Sequence, residues 1–284
     1  MSKYIPTAVS DMLLKVTFIR HGESVDNLRS VWAGRRDSAL SNHGKAQAEA
    51  LGVSLSTTKF TAIHSSPLKR ALMTAQALQN AQPDPKPSLM TSLLLQEQHY
   101  GLGEGKRYDV IRDSALSLAE HFARGEYPWL QSRTERFPEG ESLEDVARRA
   151  EDAVEEIVLP YVWNVVKDET EGVHIAIVSH GLFIREAIAA LMRKTGHIEG
   201  VNPQDYRGLQ NTGYIKVTIN VDTKSGEQVA ESRCTVRVTE HNCSGHLDGL
   251  VRQKGGIGSA AYDPNQKDIR DFFKGANANK IKPR

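Results

Sequence analysis

The chain has 284 residues, 39% hydrophobic and 25% charged, with 36 Lys plus Arg against 35 Asp plus Glu. That length accommodates one large α/β domain or two small ones, and the near-zero net charge excludes a global electrostatic role at nucleic acid or a membrane surface, so anion binding must rest on local clusters. No run approaches the ~18 apolar residues of a membrane span, residues 1–11 show no secretion-signal pattern, and the two cysteines, Cys234 and Cys243, are too few for a disulfide framework and fit a reducing compartment.

Residues 15–20 read as a short buried strand, rich in β-branched and aromatic residues. It ends in Arg20-His21-Gly22, which delivers a cation and an imidazole to the edge of a sheet. Ser41 to Leu55 reads as a helix with Ser41 as N-cap. Residues 60–63 form a second expected strand, followed by Ser65-Ser66-Pro67; Ser66 caps and Pro67 opens a helix over about 67–80 that carries Arg70 in its first turn. A third strand is expected over 89–95, with Glu97 just beyond it.

A short helix is expected near 114–124, then a Pro/Arg/aromatic stretch from Tyr127 to Pro138. Ser142 to Val158 has helical periodicity through Leu143, Val146, Ala150, Ala153, Val154 and Ile157, and Pro160 should kink or end it. Val173 to Val178 is nearly unbroken apolar sequence, as in the middle of a parallel sheet; it ends in Ser179-His180-Gly181 and leads into a helix over 182–193. Alternation at Ile215–Val221 and Cys234–Val238, with a turn near 224–226, predicts an antiparallel edge hairpin. From Asn242 the chain is glycine-rich, polar and aperiodic, the pattern of a tail that is partly disordered. His241, Cys243 and His246 lack the regular four-ligand spacing of a structural zinc site and read as a polar loop.

Strands alternating with helices predict an α/β fold: a mostly parallel central sheet with helices on both faces, an antiparallel edge hairpin and a polar C-terminal tail. The expected division is a domain over 14–240 and a tail over 241–284. Ligands of such sheets bind at the carboxyl ends of the strands. A lone histidine or arginine there is usually structural or solvated. Three junctions that bring Arg20 and His21, Arg70, and His180 to one edge, with Glu97 at a fourth strand end, describe a pocket for a phosphoryl dianion.

The segment Ile19-Arg20-His21-Gly22-Glu23-Ser24, with Asn27, resembles the signature of the histidine phosphatase (phosphoglycerate mutase-like) superfamily. Ser65 to Ala71, Glu97 to Gly105, Pro138 to Ser142, Ser179-His180-Gly181 and Asn211-Thr212-Gly213 resemble the later motifs in order, over about residues 14–240. The resemblance implies His21 as the phosphoryl-accepting nucleophile, Glu97 as proton donor to the leaving oxygen, and Arg20, Arg70 and His180 as phosphate-holding catalytic groups. Substrate-binding positions are then Arg20, Asn27, Arg70, His180, Gln98 and Gly181. No metal or cofactor is implied.

Mutases of this family carry an arginine immediately after the catalytic glutamate, where this chain has Gln98. Loss of that charge favours a phosphatase acting on small phosphate monoesters. The alternatives are a phosphoglycerate or bisphosphate mutase, a sugar bisphosphatase, or a non-catalytic interaction module. Lys106, Arg107, Arg112, Arg124, Arg133 and Arg136 fall in the segment expected to cover the pocket, either as a cationic lid or as solvated charge. Tyr108, Tyr127 and Trp129 there offer an apolar wall. The expected partner is a small phosphorylated metabolite, with no nucleic acid and no membrane; a homo-oligomer or a protein docked on the tail stays open. The expected location is cytoplasmic, with a nuclear one also open.

Overall fold

A computed structural model describes residues 12–168, 172–195, 198–199, 206, 208–222 and 233–265. Its strands are β1 (Met12–Arg20), β2 (Ala62–Ser65), β3 (Ser88–Thr91), β4 (Val173–Ser179), β5 (Ile198–Glu199), β6 (Tyr214–Asp222) and β7 (Arg233–Cys243). They form one sheet in the order β3-β2-β4-β1-β6-β7-β5. Strands β3, β2, β4 and β1 are parallel, β6 and β7 form the antiparallel pair, and β5 adds a two-residue parallel step outside β7. The turn expected near 224–226 lies outside the described residues.

The helices are α1 (Asn42–Ser54), α2 (Lys69–Asn80), α3 (Leu118–Ala123), α4 (Leu143–Ala153), α5 (Leu159–Asp168) and α6 (Gly181–Thr195). Side chains alternate across a strand, and both faces of this sheet are apolar. Leu14, Val16 and Phe18 of β1 and Ile175 and Ile177 of β4 pack beneath α4, α5 and α6. Ile19, Ala176 and Val178, on the opposite face, meet Leu51, Ala71, Ala75 and Leu78 of α1 and α2. Burial on both faces is why β4 reads as a continuous hydrophobic run. No helix among the described residues is long and apolar enough to cross a membrane.

The register fixes where the strands stop. Arg20 pairs with Ser179 and Ser65 with Val178, so His21, Ser66 and His180 leave the sheet side by side. The His21 N–H donates to the Ser179 carbonyl (2.9 Å) and the Ser66 N–H to the Val178 carbonyl (3.0 Å).

Several local expectations are corrected. The third strand stops at Thr91, and Leu93–Leu95 forms a 3₁₀ turn capped by the Ser92 hydroxyl. Helix α2 begins at Lys69, not Pro67, because the Ser66 hydroxyl is engaged with Leu68 N–H (3.3 Å) and with His180 (2.9 Å). Pro160 does not end its helix: α4 passes through a π turn, Val154–Val158, and continues as α5. The Leu159 N–H bonds five residues back to Val154, and this widened turn accommodates a proline ring that would crowd the carbonyl four residues earlier in a regular helix.

The first part of the polar C-terminal segment has a defined course along α1. Asn42 N–H donates to Ala260 O and Tyr262 N–H to Leu40 O, both at 2.9 Å. His246 meets the Thr212 hydroxyl at 2.9 Å, and the Cys243 thiol donates to Glu240.

Ile177 is 1% exposed at the centre of the larger core. Ile177→Ala should lower unfolding free energy by about 2–5 kcal/mol, read in urea as a lower midpoint with an unchanged slope.

Candidate active site

The loop that carries His21 packs against the start of α1 so closely that glycine is required. A Cβ on Gly44 would lie 1.9 Å from the Glu23 carbonyl oxygen. Ser41, as expected, caps α1 by accepting the Gly44 N–H (2.9 Å). The loop is thereby fixed at the end of β1.

His21 is 4% exposed. Its Nδ1 lies 2.7 Å from the Gly22 carbonyl, and its Nε2 lies 3.2 Å from Arg70 Nε. A carbonyl only accepts and a guanidinium only donates, so the proton sits on Nδ1 and Nε2 presents a lone pair. Burial first, then the Arg70 and Arg20 charges, hold the imidazole well below the ordinary histidine range, against the Gly22 hydrogen bond. His21 is neutral, and its Nε2 lone pair accepts from Arg70.

Arg70 is 1% exposed. Its Nη1 and Nη2 donate to the Arg36 (2.8 Å) and Gly34 (2.7 Å) carbonyls, so every acceptor it has is neutral. Arg20 donates from Nη1 to Leu209 O (2.6 Å), while its buried Nε has no partner. His180 is fully buried, bonded through Nε2 to Ser66, with Nδ1 unpartnered, and its ring centroid lies 5.0 Å from that of His21. Burial, reinforced by Arg70, pushes His180 well below its usual range. Beside His21 thus stand Arg70 and two buried nitrogens without a partner, Arg20 Nε and His180 Nδ1. Such groups are costly unless an anion completes them.

Glu97 stands across the first turn of α6: Oε2 accepts from Leu182 N–H (3.3 Å), and Oε1 from Phe183 N–H (3.2 Å) and Gln98 N–H (3.0 Å). The first-turn amides of α6 are thus engaged by the carboxylate, and at α2 the Lys69 N–H donates to Asp37 (2.7 Å); the positive charge beside His21 comes from arginine side chains.

Gln98 is buried, and its amide donates to the Glu141 carbonyl (2.7 Å). Asn27 Oδ1 accepts from Ser24 N–H (3.0 Å) and hydroxyl (3.1 Å). It lies beside Asn211, which donates to the His21 carbonyl (3.0 Å). Asn27 thus braces the His21 loop.

Beside the phosphoryl-sized cradle opens a cleft of about 1000 Å³. Arg20, Glu97, Gln98 and Gly181 form its inner wall; Trp32, Tyr100, Trp129, Leu130 and Leu182 supply apolar surface, and Arg133, Arg185 and Glu186 polar groups. The expected lid residues are mostly neutralised. Arg107 pairs with Asp109, Arg112 with Glu135, Arg136 with Asp145, and Arg133 lies bidentate on Glu186 (3.2 and 2.7 Å). Among the six lid cations only Arg133 reaches the cleft. Trp129 lines the cleft, whereas Tyr108 and Tyr127 pack in the aromatic cluster around Trp32 and Phe137.

Two arginines escape the sequence reading. Arg149 donates to the carbonyls of Leu94 (2.8 Å), Gln96 (2.6 Å) and Glu97 (3.1 Å) and to both Glu141 oxygens, fastening the Glu97 loop to α4. Its signal was a cation three residues from Val146 on an apolar helix face. Arg185 enters the cleft one turn after Gly181, a spacing that puts both on one face of α6.

Comparison with known proteins agrees with this geometry. A family model described as histidine phosphatase superfamily (branch 1) matches residues 16–230. A probable phosphatase of Schizosaccharomyces pombe is 27% identical over 264 residues, spanning 93% of this chain and 81% of the relative. A 2,3-bisphosphoglycerate-dependent phosphoglycerate mutase of Cytophaga hutchinsonii is 30% identical over 191 residues, spanning 67% and 79%. The solved structure of a mycobacterial glucosyl-3-phosphoglycerate phosphatase superimposes with a TM-score of 0.57 at 25% identity, covering 82% of this chain and all of that one.

The buried histidines set a pH dependence. His21 and His180 lie well below 6.5, and burial with nearby Lys216 and Lys15 lowers His174 to about 4. In the unfolded chain these imidazoles take up protons near pH 6.5, whereas the folded protein resists, so stability is complete above 6.5 and falls as pH drops below it. Urea midpoints should therefore decrease from pH 7.5 to 5.5, a window in which unfolded carboxylates stay ionised; equal midpoints would contradict the assignment.

Proposed function

The chain belongs to the histidine phosphatase superfamily, and we propose that it is a phosphatase that hydrolyses small phosphate monoesters through a phosphohistidine, without a metal. One observation carries this reading: a neutral His21 whose Nε2 lone pair faces buried Arg70, with the unpartnered nitrogens of Arg20 and His180 around it.

The phosphoryl group of the substrate takes the Arg70 contact now made to His21. Nε2 attacks phosphorus, the bond from phosphorus to the ester oxygen breaks, and Glu97 in its acid form gives that oxygen a proton. The Nδ1 proton stays on the Gly22 carbonyl side, stabilising the phosphoimidazole. Water then attacks the phosphohistidine, Glu97 takes its proton, and inorganic phosphate leaves. Phosphoryl transfer is mostly positioning and charge stabilisation, which buried arginines supply in a low-dielectric site.

Hydrolysis is favoured over mutase chemistry by Gln98. It brings no charge to the second anionic group a mutase must hold, and its amide is committed to the Glu141 carbonyl. The size of the cleft and its Trp32, Tyr100 and Trp129 walls favour an alcohol larger than a three-carbon acid, with Arg185, which pairs with Glu186 (3.2 Å), as the cation that a polar or anionic substituent would meet. The mutase reading keeps one support, the 30% identical relative of that name.

A panel of phosphomonoesters assayed in EDTA tests the reading. Phosphate release should persist in chelator and favour ring-bearing alcohols over 3-phosphoglycerate. His21→Ala should abolish it, and Arg70→Ala should lower turnover at least about a hundredfold. Acid-labile, alkali-stable label on the wild type and none on His21→Ala is the expected trapping result. Efficient interconversion of phosphoglycerates with a bisphosphate primer would make the protein a mutase.

A further inference from the structure

We propose that Arg252, on the segment after the last strand, is a positioning residue for the loop that carries His21, so that its ion pair with Glu23, beyond the docking of this C-terminal strap itself, sets the geometry of the nucleophile. The proposal rests on the reading of His21 as nucleophile.

Glu23 lies two residues beyond His21, with a side chain only 12% exposed. Arg252 grips it with both arms of the guanidinium, Nη1 to Oε1 at 2.9 Å and Nη2 to Oε2 at 2.6 Å. The Ser41 hydroxyl donates to Oε1 as well (2.7 Å), and the same hydroxyl caps α1. Burial raises the Glu23 carboxyl, and the Arg252 and Ser41 hydrogen bonds overcome that and leave it below the usual range. The pair is charged and bidentate, with the carboxylate largely covered and the guanidinium 36% exposed, so removal of the cation leaves a covered carboxylate without its partner.

The link to His21 is one peptide unit. The Gly22 carbonyl that holds the His21 Nδ1 proton and the Glu23 N–H that donates to Gln47 (2.9 Å) belong to the same planar group. Any movement of Glu23 that relieves an uncompensated carboxylate rotates this plane. The acceptor that fixes the imidazole tautomer and orientation rotates with it.

The strap is built to present Arg252. Its main chain joins α1 through the Ser41–Ala261 bridge and through the Asn42 side chain, which donates to Ile257 O (2.8 Å). The arginine stem runs over Gly258, where a Cβ would come within 2.5 Å of Arg252 Cγ. Ordinary anchoring of a tail would be met by those backbone contacts alone. The charged fork reaches past them to the carboxylate behind the nucleophile.

The test compares wild type, Arg252→Ala, Arg252→Lys and Asn42→Ala as full-length chains. Asn42→Ala weakens strap docking without touching Glu23. Arg252→Ala should lower kcat for phosphate release by about ten- to a hundredfold with KM nearly unchanged, and Arg252→Lys should restore part of it, since one ammonium replaces a fork. The ¹⁵N spectrum of the His21 ring should show the single Nδ1–H tautomer in wild type and a mixture in Arg252→Ala. Wild-type kcat and an unchanged His21 tautomer in Arg252→Ala would overturn the proposal, as would an equal loss of kcat in Asn42→Ala. If no protein in the set releases phosphate, the functional reading fails, while the ¹⁵N tautomer comparison still decides whether Arg252 positions the ring.

Discussion

A cation against the lone pair of a neutral imidazole is the contact on which the site depends. Arg70 Nε lies 3.2 Å from His21 Nε2, and both groups are buried. Protonating His21 would place three positive charges in a space sealed from water. Burial first, and then the field of Arg70 and Arg20, keep the ring neutral, and the Gly22 carbonyl decides which nitrogen carries the lone pair. An anion in the cradle reverses the sign of the problem. It relieves the desolvation of both arginines, whose own protonation is disfavoured by burial and supported chiefly by Glu97.

That arrangement explains why so much of the fold serves carbonyl placement. Arg70 is aimed by the Gly34 and Arg36 carbonyls, Arg20 by Leu209, and the Glu97 loop by Arg149 drawing three consecutive-turn carbonyls together. Neutral acceptors orient a guanidinium without cancelling its charge, whereas a carboxylate partner would orient and neutralise it. The contrast lies within this chain: Arg107, Arg112 and Arg136, paired with carboxylates, stand outside the cleft, whereas Arg70 and Arg20, held by carbonyls, keep their charge toward His21.

The parts of the fold legible in the sequence are those governed by local rules. The apolar runs at 15–20 and 173–178 end in His21 and His180 because a buried parallel strand must stop where polar groups begin. Ser41 declares its helix because a hydroxyl before a periodic run has one obvious acceptor role. The strand end expected just before Glu97 is instead the 3₁₀ turn at Leu93–Leu95, which the sequence does not reveal because three leucines satisfy either structure. Continuation through Pro160 depended on a π turn whose only trace is hydrogen bonding. The polar segment after Asn242 lacked any period because its docking uses main-chain bonds and one ion pair across 229 positions, neither of which leaves a local pattern.

The same distinction bears on Gln98. Read as a residue, it removes a positive charge; placed in the structure, it also turns its amide toward Glu141. Arg185, one helical turn along α6 from Gly181, brings a cation to the same cleft, paired there with Glu186 at 3.2 Å. On the phosphatase reading proposed above, an alcohol seated in this cleft of about 1000 Å³ departs after transfer and leaves Glu97, on the cleft wall, open to the water that it must activate.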